Sequence, residues 1–192
     1  MVKKLHTKFV YICRRLYDFV WHMFRLVRYR RKNVQWEAPS IISQNCIGGC
    51  MYHDLGLPFL SPTINCCMNF KDFVKFCERL NFYLSFQLVD AKIDSAYPAG
   101  KLHDIIIHFV HYKSFEEAKQ KWDIRKNRLD FNNVRIIATD RDGCNTDLTK
   151  RFLKLPYKKV LFSHFASSHP DIVYIEGYEK DGQVGIINAK EN

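Results

Sequence analysis

Between residues 9 and 27 the apolar positions keep the spacing of one helix face. At about 100° per residue, Phe9, Ile12, Cys13, Leu16, Phe19, Val20, Met23 and Val27 fall in one arc, with Lys8, Arg14, Arg15, Asp18, His22 and Arg25 opposite. Tyr17, Trp21 and Phe24 lie on the flank between the two. From residue 40 the pattern changes to short apolar runs separated by longer amphipathic stretches. The runs predict strands over 40–43, 86–89, 104–110, 134–139, 160–162 and 172–175; the stretches predict helices over 69–80, 114–129 and 145–153. Ser114 with Glu117 has the spacing of a capping box and marks the start of the middle helix.

Strand and helix in alternation predict an α/β domain: an open, mostly parallel, Rossmann-like sheet with helices on both faces and right-handed crossovers. Residues 172–188, with Asp181-Gly182 as a turn, are expected to form a hairpin at its edge. The organisation is therefore a basic amphipathic helix over 1–34, a joint over 35–39 containing Trp36 and Pro39, and a single α/β domain over 40–192.

Charge sharpens this division. The chain of 192 residues carries a formal +10, but residues 1–34 hold ten Lys and Arg against Asp18 alone, whereas the rest holds 20 basic against 19 acidic residues. A nucleic-acid partner would call for a basic patch on the folded domain, and nucleic-acid binding is not expected. The segment instead has the make-up of a helix lying flat on an anionic membrane surface; its alternative role is to pack against the domain or a partner protein. Arg14, Arg15, Asp18 and Arg25 interrupt every window long enough to span a bilayer, and no uninterrupted apolar run marks a cleavable leader. The expected location is cytoplasmic, peripheral on the inner face of the cell membrane.

The seven cysteines are odd in number, and Cys66 and Cys67 are adjacent, which suits a reduced compartment better than a disulfide framework.

Ligands of open α/β sheets bind beyond the carboxyl ends of the strands, and three segments there carry chemistry. The first is Asn45-Cys46-Ile47-Gly48-Gly49, where paired glycines either let backbone N–H groups approach an anionic substrate or simply make a tight turn. Cys46 is a candidate contact, as a nucleophile beside a histidine or as an inert buried thiol. The segment continues through His53 to Ser61 and Thr63, adding a second base candidate and two hydroxyls. In the second segment, alternation puts Asp104 and His108 on one strand face, making His108 the first general-base candidate or else a hydrogen-bonded core histidine. The third is Asp140-Arg141-Asp142, a D-x-D that holds a divalent cation (Mg or Mn) against a diphosphate, or caps the next helix. Thirteen Asp in 192 residues make roughly one such pattern expected by chance. Lys121, Arg125 and Arg128 form a basic stripe on the middle helix, for an anionic substrate or for solvent.

The stretches "IISQNCIGG", "YHDLGLPFLSPTIN", "YPAGKLHDIIIHFVHYKSFEEAKQKWDIRKNRL", "TDRDGC" and "LPYKKVLF", in that order over about residues 41–162, resemble a family of bacterial exopolysaccharide and capsule biosynthesis proteins. The resemblance implies a pathway and a cellular setting without a reaction. Gln44 stands where the family pattern has a second Asn, and the basic N-terminal segment is not part of that pattern.

The combined expectation is a membrane-associated transferase that moves a sugar from a nucleotide-sugar donor to a lipid-linked glycan. His108 or His53 would accept the hydroxyl proton. Asp140 and Asp142 with a cation, or Arg141, would receive the diphosphate, and Asn45, Cys46, Gly48, Gly49, Ser61, Thr63 and Arg125 would contact substrate. The alternatives are an O-acetyl-type acyltransferase using an acyl donor and no metal, and a non-catalytic scaffold of the biosynthetic machinery. Full-length protein should sediment with acidic liposomes at low salt and be released by about 0.5 M salt as surface charges are screened. A chain beginning at Val34 should stay in the supernatant.

Overall fold

The computed structural model describes residues 37–185. The predicted amphipathic helix over 1–34 and most of the joint lie outside these residues. Four strands form a parallel sheet in the order β1 (Ser40–Ser43), β5 (Val134–Thr139), β6 (Lys158–Ser163), β7 (Ile172–Tyr174), and three form a small antiparallel sheet, β2 (Val89–Asp90), β3 (Ala99–Leu102), β4 (Ile105–His108). The helices are α1 (Ile47–Asp54), α2 (Phe70–Glu78), α3 (Leu80–Ser85), α4 (Phe115–Lys126) and α5 (Thr146–Leu153). The expected α/β class with a mainly parallel sheet flanked by helices is what the chain adopts. Among the described residues no helix is long and apolar enough to cross a membrane.

Local chemistry sets the helix starts. Asn69 accepts from the Asp72 N–H at 2.8 Å and donates back to the Asp72 carboxylate at 3.2 Å, so α2 begins on a reciprocal cap. Asp72 also accepts from Ile106 N–H at 3.0 Å, tying α2 to β4. Ser114 caps α4 through Glu117 N–H at 3.2 Å, and Asn145 caps α5 through Leu148 N–H at 3.0 Å.

The core follows strand alternation. Ile42, Ile136, Ala138 and Leu161 pack with Phe70, Phe73 and Cys77 of α2, Trp122 of α4 and Phe152 of α5. Ile41 and Ser43 point to the other face of β1, where Gly48 of α1 comes so close that a Cβ there would lie 2.5 Å from Ser43 Oγ and 3.2 Å from Ile41 Cγ2. Helices thus cover both faces of the sheet.

The chain groups into two compact units, one containing Met51–Pro58 and the other Pro39–Cys50 with residues 59–185. Within the first, α1 ends on Gly56 (φ 61°), whose N–H donates to His53 O, while Leu57 N–H donates to Tyr52 O.

Several expectations need correction. The predicted strand over 104–110 does not join the parallel sheet. Leu102 and Ile105 pair antiparallel across a two-residue turn, His103-Asp104, with His103 at φ 57°, and so short a link allows only a hairpin. Asp104 therefore sits in the turn, where Lys75 Nζ and Tyr83 Oη each approach it at 2.8 Å, instead of sharing a strand face with His108. The predicted strand over 86–89 is replaced by the two-residue β2, with residues 86–88 outside any strand between α3 and β2. Of the hairpin expected over 172–188, the described residues, which end at 185, form none: β7 runs parallel to β6, pairing Ile172 with Leu161. Of segment 45–49, expected as a turn, residues 45 and 46 make the bend and residues 47–49 already belong to α1, so neither Gly48 nor Gly49 needs a positive φ.

Gly48 is present for proximity, and Gly48→Ala should destabilise the domain by about 1–3 kcal/mol, the usual penalty of overpacking. A urea melt should show the midpoint falling with the slope unchanged.

Candidate functional site

Parallel strands place all four carboxyl ends at one edge of the sheet, and here those ends are polar yet buried. Ser43, Gln44 and Ser163 are fully buried, and Thr139 and Asp140 are 3% and 5% exposed. Buried polar groups persist only where they are paired, and these pair with one another. Gln44 Oε1 accepts from the Thr139 N–H at 3.0 Å and its hydroxyl at 3.2 Å, Gln44 Nε2 donates to Arg141 O at 3.3 Å, and Asn45 Nδ2 donates to Thr139 Oγ1 at 3.1 Å. The ends of β1 and β5 are thereby stapled together.

Asp140 is the hub of the next pair of ends. Its Oδ2 accepts from Ser163 Oγ at 2.7 Å, His164 N–H at 2.8 Å and His164 Nδ1 at 2.6 Å, and its Oδ1 accepts from Val184 N–H at 2.7 Å. Burial pushes this carboxyl up, but the Val184 N–H, the Ser163 hydroxyl and the His164 main chain and ring together outweigh it and hold the group below its ordinary value. In the neutral form of the ring, an ionised Asp140 selects the His164 tautomer whose Nδ1 proton points at Oδ2 and whose Nε2 is an acceptor. The His164 side chain is 25% exposed, open enough to meet a substrate. Phe165, itself 41% exposed, stands edge-on to it with ring centroids 5.4 Å apart.

Beyond β5 the chain turns sharply through Asp142 (φ 57°) and Gly143 (φ 86°), and Asp142 O accepts from Phe70 N–H at 2.9 Å, satisfying a free donor at the start of α2. Arg141 Nε lies 3.0 Å from Asp142 Oδ2 but out of line for a hydrogen bond. The segment carrying Cys67 and Met68 joins the two sheets. Met68 N–H donates to Gln44 O at 2.9 Å, and Cys67 exchanges two 2.8 Å backbone bonds with His108. Burial, then the Asp142 carboxylate, pushes the Cys67 thiol up to about 11.

The structure brings Asn45, Asp140 and Arg141 to one edge, with Asp142 in the adjoining turn. Cys46 is there too, but burial followed by the neighbouring Cys50 raises its thiol, which keeps it protonated and poorly nucleophilic. Ser61 and Thr63 are fully buried and bonded to each other at 2.9 Å, and Thr63 Oγ1 receives the Ser43 N–H at 3.0 Å. They brace β1 and have no surface to offer a substrate. Arg125 is held by Tyr112 Oη at 2.6 Å and lies 5.0 Å over the Phe59 ring. Gly48 and Gly49 serve packing against Ser43 and Ile64. His53 is exposed on the last turn of α1, 3.3 Å from Asp54. His108 ends a strand of the small sheet, its Nδ1 buried without a partner and its ring edge-on to Tyr97.

The D-x-D does not fit a cation pair well, because four donors already occupy the Asp140 oxygens and Arg141 flanks Asp142. Among the described residues no group of three or more His, Cys, Asp or Glu is arranged to hold a metal. His164 is the residue that sequence reasoning passed over. The signal existed, since it lies two residues beyond the end of the predicted strand over 160–162.

A family model described as a domain of unknown function, DUF1919, matches residues 20–192. A Haemophilus influenzae protein described as uncharacterised is 38% identical over 170 residues, which is 85% of this chain and 81% of that protein. Neither description names an activity.

Asp140→Asn should cost about 2–4 kcal/mol, because the amide turns an N–H toward at least one buried donor and charge-assisted bonds contribute about 1.5–3 kcal/mol each. The Asp140 value is lowered on folding, so its contribution is complete above the unfolded value of about 3.9 and is lost as pH falls through the folded value. Urea melts of the native protein from pH 6 down to pH 2.5 should show this loss, and the Asn variant should show a shallower acid limb.

Proposed function

For this chain, which belongs to the DUF1919 family, we propose metal-independent group transfer onto a hydroxyl of a glycan, with His164 as the general base. The observation that carries the reading is the 2.6 Å contact between His164 Nδ1 and Asp140 Oδ2. A buried carboxylate behind an imidazole, with the far nitrogen unprotonated, is the arrangement that activates hydroxyl nucleophiles.

In the glycosyl-transfer form, the acceptor hydroxyl gives its proton to His164 Nε2 as its oxygen bonds to the anomeric carbon of a nucleotide sugar. The bond from that carbon to the diphosphate breaks, and the diphosphate leaves with the electron pair. Asp140 stabilises the imidazolium that forms, and the Arg141 guanidinium is the cation nearest in sequence to receive the leaving charge. The occupied oxygens of Asp140 favour a second form, acyl transfer, in which His164 takes the proton of the same hydroxyl as its oxygen bonds to a thioester carbonyl, the C–S bond breaks and the thiol leaves, so that no diphosphate has to be gripped.

The pathway in this reading, capsule or exopolysaccharide assembly, rests on the motif resemblance over residues 41–162. The basic amphipathic pattern of residues 1–34 supports a site at the inner membrane surface, where lipid-linked acceptors reside.

Assayed with membrane glycan acceptors and either labelled nucleotide sugars or an acyl thioester, the native protein should transfer label from one donor class, and EDTA should leave the rate unchanged. His164→Ala should lower turnover by about 10²–10⁴-fold, the range of a lost general base, with a thermal midpoint near native. Full activity in that variant would overturn the proposal, and sensitivity to EDTA would return Asp140 and Asp142 to the metal scheme.

A further inference from the structure

After β7 the chain doubles back across the strand ends. Ile175 N–H donates to Ser163 O at 2.8 Å, Gly177 N–H bonds both carboxylate oxygens of Glu179 at 3.1 and 3.2 Å, and Tyr174 Oη donates to the same carboxylate. Asp181 N–H then closes a turn on Tyr178 O, and a Cβ on Gly185 would lie 2.9 Å from the Tyr178 ring. From Val173 to Gly185 one residue is fully buried: Val184, whose N–H ends on Asp140 Oδ1. The same strap brings the Glu179 carboxylate within electrostatic reach of His164.

We propose that residues 175–185 are a positioning strap for the site: the Val184 N–H pins Asp140 Oδ1, so that Oδ2 stays aligned with Nδ1 of His164. The proposal rests on the reading of His164 as a base. Three donors meet at Oδ2 and one at Oδ1, so the Val184 bond is the anchor on the far oxygen that, with the Oδ2 donors, holds the carboxylate against rotation about its Cβ–Cγ bond. Without it the carboxylate turns and its hold on the Nδ1 proton weakens. The imidazole then populates the other tautomer, which presents N–H instead of a lone pair to the acceptor hydroxyl. Val184 is a positioning residue and touches no substrate.

The test uses full-length protein labelled with ¹⁵N at histidine and long-range ¹H–¹⁵N correlation at pH 7.5. In the native protein and in Val184→Ala, which keeps the N–H, His164 should be predominantly the Nδ1–H form. In Val184→Pro, which deletes the N–H, the ratio of Nδ1–H to Nε2–H should fall at least twofold. A folded Val184→Pro protein with the native ratio would overturn the proposal. Should that variant fail to fold, amide exchange in the native protein decides. The Val184 amide should exchange at least a hundredfold more slowly than an open chain and lose that protection in Asp140→Asn; unprotected exchange in the native protein refutes the strap. Neither readout involves a substrate, so an active His164→Ala would remove the catalytic reading without altering either result.

Discussion

A carboxylate at 5% exposure is tolerable only if its lost hydration is replaced, and at Asp140 four donors from two parts of the chain replace it. That requirement organises the carboxyl edge of the sheet. The Ser163 hydroxyl must face β5, which fixes the register between β5 and β6 at their ends. The His164 main chain must turn inward at once, which is why the ring follows. The last described residues must return to the sheet although little else there is apolar. A single charge thus sets the positions of a strand end, an imidazole and a terminal segment.

Gln44 does comparable work for β1 without charge. Its amide satisfies the main chain of Thr139 and Arg141 together, so the D-x-D turn leaves β5 in a fixed direction. Reach explains the residue: a side chain one methylene shorter, an Asn, would fall short of these two partners across the strand gap.

Much of the fold was legible because local chemistry and periodicity agreed. Ser40–Ser43 and Val134–Thr139 read as mainly β-branched or small runs, and Ser114 announced the helix it caps, whereas the helices expected over 69–80 and 145–153 prove to be capped by Asn69 and Asn145. The hairpin of β3 and β4 was hidden because Ala99, Gly100 and Lys101 carry no strand signal. Gly100 is needed there since a Cβ would lie 2.6 Å from Leu88 Cδ1. The parallel course of β7 was hidden because an eight-residue link without a helix looks like part of a hairpin. At the site, Asp140 was legible as chemistry at a strand end. Its true partner was not, because His164 meets it only through the β5 to β6 register, which no spacing encodes. His108 drew attention by sitting on the most apolar run, and that run serves the other sheet.

The Cys67-Met68 dipeptide bonds to Gln44 on one side and His108 on the other, and so splices two hydrogen-bond ladders of opposite sense into one mechanical frame. From the β3–β4 hairpin a covalent and hydrogen-bonded route leads to the Arg141 carbonyl through short stretches of backbone and one side chain, Gln44. Variation in the β3–β4 turn therefore offers a route for retuning the strand-end edge from a distance, leaving the residues at that edge unchanged.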